Sequence, residues 1–245
     1  MESDFQPDSL YVNPIEQPSS FKFDDAVARV FPDMIQRSVP GYGAIISAIG
    51  LLGKKYAQPD SNCYDLGCSL GAVALSLSQN ITASRCRIVA VDSSSEMIDR
   101  SRQIIGMDRS TVPVELMCAD IREIDIKRAS IVVLNFTLQF IPIVDRLKFL
   151  SKIYSGLLPG GVLIVSEKLQ LADTQQQSLF SEMHHAFKSA QGYSDLEISQ
   201  KRTALENVLI PETLPVHEER LKRAGFTSCG VWFQYFNFAS MIALK

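Results

Sequence analysis

Two hydrophobic periods take turns along this chain. Five short, β-branched apolar runs, CYDLG, CRIVAVD, VELMCAD, ASIVVLNFT and GGVLIVSE, fall between residues 63 and 167. Between them lie runs with helical spacing: AVALSLSQ, SSEMIDRSRQII and IVDRLKFLSKIYSGL. Strands apolar on both faces, alternating with helices, predict a mostly parallel sheet covered on both sides, with right-handed crossovers. Two further strand runs, FTSCGVWFQYFN and FASMIALK, close the sheet as an antiparallel pair and bring the count to seven.

The pattern differs before and after this core. Residues 1–20, with Pro7, Pro14, Pro18 and paired serines, read as a weakly ordered N-terminal segment. Residues 21–245 read as one domain. From 22 to 39 the spacing is helical around Pro32 and predicts two short helices split near that proline. AIISAIGLLG reads as a buried helix, too short to span a bilayer. Leu158-Pro159-Gly160-Gly161 ends a helix and starts the fifth strand. After Glu167 the strand–helix rhythm stops, and residues 170–210 form a polar helical insert or lid, divided at Gly192-Tyr193. VHEERLKRAG is one more helix, ending at Gly225.

Composition narrows the function. With 46% hydrophobic residues in 245, the chain supports a real core. A net charge of -3 weighs against unaided nucleic-acid binding and against an anionic membrane surface, both of which need clustered positive charge. Five scattered cysteines with no C-x-x-C pair point to reduced core thiols and to no bound metal. The acidic, proline-broken N-terminus lacks an export pattern, so the expected location is cytoplasmic.

The chemistry concentrates in NCYDLGCSLG, residues 62–71. A strand ending in Asp65, a turn of Gly67, Ser69 and Gly71, and a helix in that order bring backbone close to a cofactor and leave free N–H groups at the helix start. Asp92 ends the next strand, about 20 to 25 residues on, where such folds place a carboxylate on a ribose. Ligands bind outside the carboxyl ends of strands in open α/β sheets, which singles out Asp65, Gly67, Asp92, Asp120 and Asn135. Gly67-Cys68-Ser69-Leu70-Gly71 also matches the G-x-S-x-G nucleophile elbow, with His184, His185 and His217 downstream. Against that stand the single strand preceding it and the lack of any task for Asp65 and Asp92.

In order, these segments resemble the class I S-adenosylmethionine-dependent methyltransferases. DLGCSLG is similar to the family's first motif, with Ser69 in place of its middle glycine; AVDSSSEMID, CADI and LLPGGVLIVSE are similar to later ones. GYGAII, VVLNFTLQFI, MHHAFKSAQGYSDLEISQKR, LENVL and WFQYFNFASMIALK resemble one branch, the carboxy-S-adenosyl-L-methionine synthases. The resemblance implies a Rossmann-like α/β fold, with a mostly parallel seven-stranded sheet, an antiparallel final strand and a helical insert. It also implies an enzyme that carboxylates the methyl group of S-adenosyl-L-methionine. Prephenate supplies the carboxyl group, and carboxy-S-adenosyl-L-methionine and phenylpyruvate are the products. The sulfonium acidifies the methyl group; its carbon then captures carbon dioxide released as the prephenate ring aromatises. The departing hydroxide is a candidate proton acceptor, so no protein base is required. A homodimer is implied, as is a functional link to a carboxymethyltransferase acting on wobble uridine of tRNA.

The same resemblance implies a cofactor site of Tyr42, Gly67, Cys68, Ser69, Asp92, Ser93, Asp120, Ile121, Asn135 and Arg202, with Arg202 and Tyr42 also catalytic. Asp92 takes the ribose hydroxyls and Ser93 sits beside the adenine, bordered by Asp120 and Ile121. Asn135 lies near the amino-acid end. Arg202, a forked guanidinium, faces the new carboxylate. The plain alternatives are a helix N-cap for Asp92 and a surface pair with Glu206 for Arg202. Lys201 and Arg223 read as solvated, and His184 and His185 as structural. An ordinary methyltransferase acting on a small molecule or tRNA fits the cofactor motifs equally well, and only the insert separates the two readings. A non-catalytic cofactor-binding protein is the third.

Overall fold

The computed structural model describes residues 6–245 other than Thr111, so expectations for residues 1–5 lie outside the described residues. In chain order the strands are β1 (Asn62–Leu66), β2 (Arg87–Asp92), β3 (Val114–Cys118), β4 (Ala129–Asn135), β5 (Leu157–Lys168), β6 (Ser228–Tyr235) and β7 (Phe238–Leu244). The helices are α1 (Asp25–Ser38), α2 (Tyr42–Tyr56), α3 (Ala72–Asn80), α4 (Ser95–Gly106), α5 (Ile143–Gly156), α6 (Thr174–Ala190), α7 (Asp195–Leu205) and α8 (Leu214–Ala224).

The seven strands form one sheet in the order β3-β2-β1-β4-β5-β7-β6. The first five pair in parallel, and β7 runs antiparallel to both β5 and β6. This is the sheet expected from the sequence. From β1 the chain moves outward to β2 and β3, then returns to place β4 on the other side. That reversal opens a crevice at the carboxyl ends of β1 and β4.

Strand alternation divides the core in two. Tyr64, Leu66, Val132 and Leu134 face α5 and α8, where Phe149, Leu150, Ile153 and Leu221 cover them. Cys63, Ile131 and Val133 point the other way, against Ile45 and Ile49 of α2 and Val73 and Leu77 of α3. Burying each of these large side chains contributes roughly 1.5–3 kcal/mol. Among the described residues no helix is long and apolar enough to cross a membrane.

Three local expectations are corrected. Pro32 does not split the first helix; α1 runs through it. The proline forfeits one backbone hydrogen bond, but Val27, Ala28, Val30 and Met34 are buried on one face and hold both halves in register. α2 is buried on one face only, since Leu51 is 65% exposed. The fifth strand starts at Leu157, directly after the helix, and takes Pro159 and Gly160 into an irregular stretch where its register against β4 shifts.

The insert is built differently from the core. Of the seventeen residues of α6, His184 is the buried one. α7 starts with a capping box, Ser194 with Glu197, and buries Gln200 and Lys201 beside Ile198 and Ala204. Residues 6–24 carry no helix or strand, but Asp8 is buried.

Candidate functional site

A cleft of about 880 Å³ opens at the carboxyl ends of the strands, under the insert. Tyr42, Gly67, Cys68, Ser69, Asp92, Ser93, Asp120, Ile121, Asn135 and Arg202 all line it, as does Asp65. Residues spread over 160 positions of sequence thus meet in one place.

The glycine-rich turn forms one wall. Gly67 has φ +81°, and a Cβ there would sit 2.5 Å from the Thr137 side chain. Only glycine fits both the backbone and the space. Gly71, at φ +84°, caps α3. Ser69, at the usual glycine position, also takes a left-handed conformation, φ +47°. Its backbone N–H donates to Asp92 Oδ2 at 2.8 Å, which helps hold that conformation. Asp92 Oδ1 accepts from Ser94 N at 3.0 Å. The cap of α4 is Ser94, whose side chain accepts from Met97 N, so Asp92 is not the N-cap. Each Asp92 oxygen has lone pairs left for a ligand hydroxyl. Burial pushes its carboxyl above the usual range, against the pull of these backbone N–H groups.

Asp65 lies deeper. Its Oδ2 accepts from Ala74 N at 3.0 Å, in the first turn of α3. Burial pushes its carboxyl up to about 7; the Ala74 bond lowers it, and the charge of Asp92 adds to the rise. The Tyr42 ring lies 6.5 Å from that of Phe136, and burial, then the charge of Asp65, pushes its hydroxyl upward. Asn135 Oδ1 is buried with no hydrogen-bond partner among the described residues. A buried acceptor left unpaired costs about 1–3 kcal/mol, which a ligand donor would recover. These features fit a polar, cation-bearing ligand such as S-adenosyl-L-methionine.

Asp120 is engaged elsewhere. Arg122 donates to it through Nε and its terminal nitrogen, the latter at 2.7 Å, and this hydrogen bonding holds the carboxyl below its usual range. Arg122 also reaches Asp145 at 2.9 Å. Sequence reasoning missed this arginine, whose ion pairs with Asp120 and Asp145 lie at the rim of the cleft.

The opposite end of the cleft is cationic. Lys168 ends β5, Lys188 lies on α6, and Lys201 and Arg202 lie on α7. Burial, and then the neighbouring cations Lys168, Lys201 and Arg202, push the Lys188 ammonium down to about 8. Lys168, Lys188 and Arg202 make no ion pair among the described residues. Arg202 therefore does not pair with Glu206. Lys201 is not solvated: its Nζ reaches Ser38 Oγ at 2.9 Å and Asp8 Oδ2 at 3.3 Å. Lys168 was within reach of sequence reasoning, since it lies at the carboxyl end of a central strand; Lys188 carried no local signal.

The histidines do not serve a triad. His184 Nε2 lies 2.9 Å from the Ser38 carbonyl, and burial holds its ring neutral by pushing it down to about 3. His185 Nε2 lies 2.8 Å from Asp195 Oδ1. His217 is buried in α8 and does not line the cleft. Neither cleft histidine is bonded to Ser69, and the nucleophile elbow lapses.

Comparison with known proteins agrees with this geometry. Residues 64–161 match a methyltransferase domain family. A carboxy-S-adenosyl-L-methionine synthase of Geobacter sp. (strain M21) is 59% identical over 239 residues, covering 97% of this chain and 98% of that protein. The synthase of that name from Aliivibrio fischeri (strain ATCC 700601 / ES114) is 55% identical, covering 98% of this chain and 99% of its own. Among solved structures, magnesium protoporphyrin IX methyltransferase from Synechocystis PCC 6803 superposes with a TM-score of 0.60 at 15% identity, covering 86% of this chain and 87% of that one. A putative O-methyltransferase from Nostoc punctiforme PCC 73102 gives 0.63 at 15% identity, over 90% of this chain and 60% of its own. At such identities the structures speak for the fold alone.

Proposed function

Because the chain belongs to the carboxy-S-adenosyl-L-methionine synthase family, we propose that its carboxyl donor is prephenate and that Arg202 faces the carboxylate it forms. The family assignment makes it an enzyme acting on S-adenosyl-L-methionine through a methyltransferase fold. The observation that carries the donor proposal is the cation cluster: Lys168, Lys188 and Arg202 face the cleft without carboxylate partners.

A neutral methyl acceptor gives three unpaired cations nothing to bind. A dicarboxylate such as prephenate is opposite to them in charge, and a carboxylated product keeps one negative charge beside Arg202. The balance is simple. Prephenate loses its ring carboxyl and its hydroxyl, the methyl group loses one proton, and the products are carboxy-S-adenosyl-L-methionine, phenylpyruvate and water. The protein's part is to hold both reactants together and keep bulk water away from the reacting carbon. Glycine turn, Asp92 and Asn135 hold one reactant; the cation cluster holds the other; α6 and α7 cover both. Within this proposal the product feeds a carboxymethyltransferase that modifies wobble uridine of tRNA.

The test is mass spectrometry of the purified protein with S-adenosyl-L-methionine, with and without prephenate. A product heavier by one carboxyl group, formed only with prephenate and matched by phenylpyruvate, is expected. Unchanged S-adenosyl-L-methionine, despite measured binding, would overturn the donor assignment.

A further inference from the structure

We propose that Asp8 is a positioning residue for the cationic end of the cleft: it latches Lys201, and with it α7 and Arg202, onto α1. The inference deepens the anion-site reading given above and rests on it.

Asp8 is 4% exposed, in a stretch otherwise without regular structure. Its Oδ2 accepts from Lys201 Nζ at 3.3 Å and from the Tyr193 hydroxyl. Its backbone is fixed as well. Asp8 N donates to Asp33 Oδ2 at 2.7 Å, and its carbonyl accepts from Arg37 at 3.2 Å. Arg37, on α1, also bonds Asp33 at 3.0 Å and lies over the Tyr193 ring at 3.8 Å. Asp8 therefore joins α1 to both ends of the Tyr193–Lys201 stretch.

The residues that follow extend the latch. Gln200 Nε2 donates to the carbonyls of Tyr11 and Asn13 at 2.9 and 3.0 Å, and Gln200 Oε1 accepts from Ile15 N at 2.5 Å. Residues 8–15 thus form a strap across α7. Leu10 and Tyr11 pack half-buried against the cluster around Met34 and Ala204, and directional hydrogen bonds and one buried ion pair set the orientation of the strap. Such bonds fix orientation in a way that apolar burial does not.

The position of the strap relates it to chemistry. Lys201 lies among Lys168, Lys188 and Arg202, and burial lowers its pKa while Asp8 opposes that shift. Asp8 keeps this ammonium charged and turned toward Ser38. Removing the carboxylate leaves a buried cation without its counter-charge, which either loses its proton or swings into the cleft. Arg202 is the next residue on the same helix, so any rotation of α7 about Lys201 carries it along.

The test compares wild type, Asp8→Asn and Asp8→Glu in the full chain. Three quantities are read: the prephenate KM for carboxylated product, S-adenosyl-L-methionine affinity by calorimetry, and amide hydrogen exchange across residues 193–205. For Asp8→Asn the expected result is a prephenate KM raised about tenfold, S-adenosyl-L-methionine affinity within about twofold, and faster exchange confined to 193–205. Asp8→Glu should recover part of the loss. Adding Lys201→Met to Asp8→Asn should cost less than its effect in wild type, because the two share one interaction. Unchanged KM and exchange in Asp8→Asn would overturn the inference. A parallel fall in both affinities and in melting temperature would reduce Asp8 to a structural residue and also overturn it. If wild type itself fails to use prephenate, the donor proposal fails, while exchange across 193–205 still decides whether Asp8 latches α7.

Discussion

The two ends of the cleft are made of different materials. The glycine-turn end is largely backbone: N–H groups of residues 69, 74 and 94 converge on two carboxylates within a thirty-residue stretch. The cationic end is side chain only, drawn from β5, α6 and α7 and held in part by residue 8. Backbone geometry is fixed once strand, turn and helix are formed, so the first end is preorganised by the fold itself. Long, charged side chains are not, and the second end needs ties from outside the sheet. Under the proposed function, S-adenosyl-L-methionine binding falls to the first end and recognition of the carboxyl donor to the second.

The sharpest break of that division is Arg202→Leu. Product formation should fall by about a hundredfold, because a desolvated carboxylate loses a forked partner. Affinity for S-adenosyl-L-methionine should move by no more than about threefold. Equal losses in steady-state turnover and in calorimetric binding would show that the two ends are not separable.

Gly67→Ala attacks the other end. At φ +81° and with a methyl 2.5 Å from Thr137, alanine must displace the loop. The strain is on the order of 1–3 kcal/mol. S-adenosyl-L-methionine affinity should drop by roughly thirtyfold, with melting temperature falling alongside. The prephenate KM at saturating S-adenosyl-L-methionine should change little.

Lys188 tests the cationic end through pH. Its folded pKa, about 8, lies below the value of an unfolded lysine, so it is charged at pH 7 and loses charge as pH rises through 8. The prephenate KM should climb over that window by about fivefold, and Lys188→Met should start high and lack the step. Stability runs the opposite way. Between pH 8 and the unfolded value the unfolded chain binds more protons, so this group adds stability as pH increases there.

The smallest effect concerns Asp65. Its folded carboxyl, near 7, lies above the unfolded value, so its contribution to stability is fully present below about pH 4 and lost as pH rises through 7. Asp65→Asn should leave thermal stability unchanged at pH 4 and raise it at pH 8 by up to about 2 kcal/mol, since the amide oxygen still accepts from Ala74. The same change should weaken S-adenosyl-L-methionine binding several-fold, because the positive ligand loses a buried counter-charge. A variant less stable at pH 8 would refute the account of Asp65 as a strained carboxylate.

The same contrast explains what the sequence revealed. The glycine turn, Asp92 and the strand ends were legible because each is a local event: a turn residue where the chain must turn, an acid where a strand stops. The mostly parallel sheet followed from alternation. Pro32 was misread because a propensity to break a helix lost to the burial of Val27, Val30 and Met34 on both sides of it. Lys201 was misread for a deeper reason. A lysine in a polar helix is usually solvated, and the residue that contradicts this lies 193 positions earlier in the chain. No window along the sequence contains both, and Asp8 carries no motif of its own.

The place of β7 between β5 and β6 also bears on how the molecule comes into being. A chain made from its N-terminus finishes β6 before the strand that joins β6 to the sheet exists. Until residues 238–244 emerge, β5 presents an unsatisfied edge carrying Leu163, Ile164 and Val165, all fully buried in the finished sheet. That is a template for wrong pairing between neighbouring nascent chains. Truncations or slow translation just before Phe238 should therefore yield insoluble protein rather than a weaker enzyme.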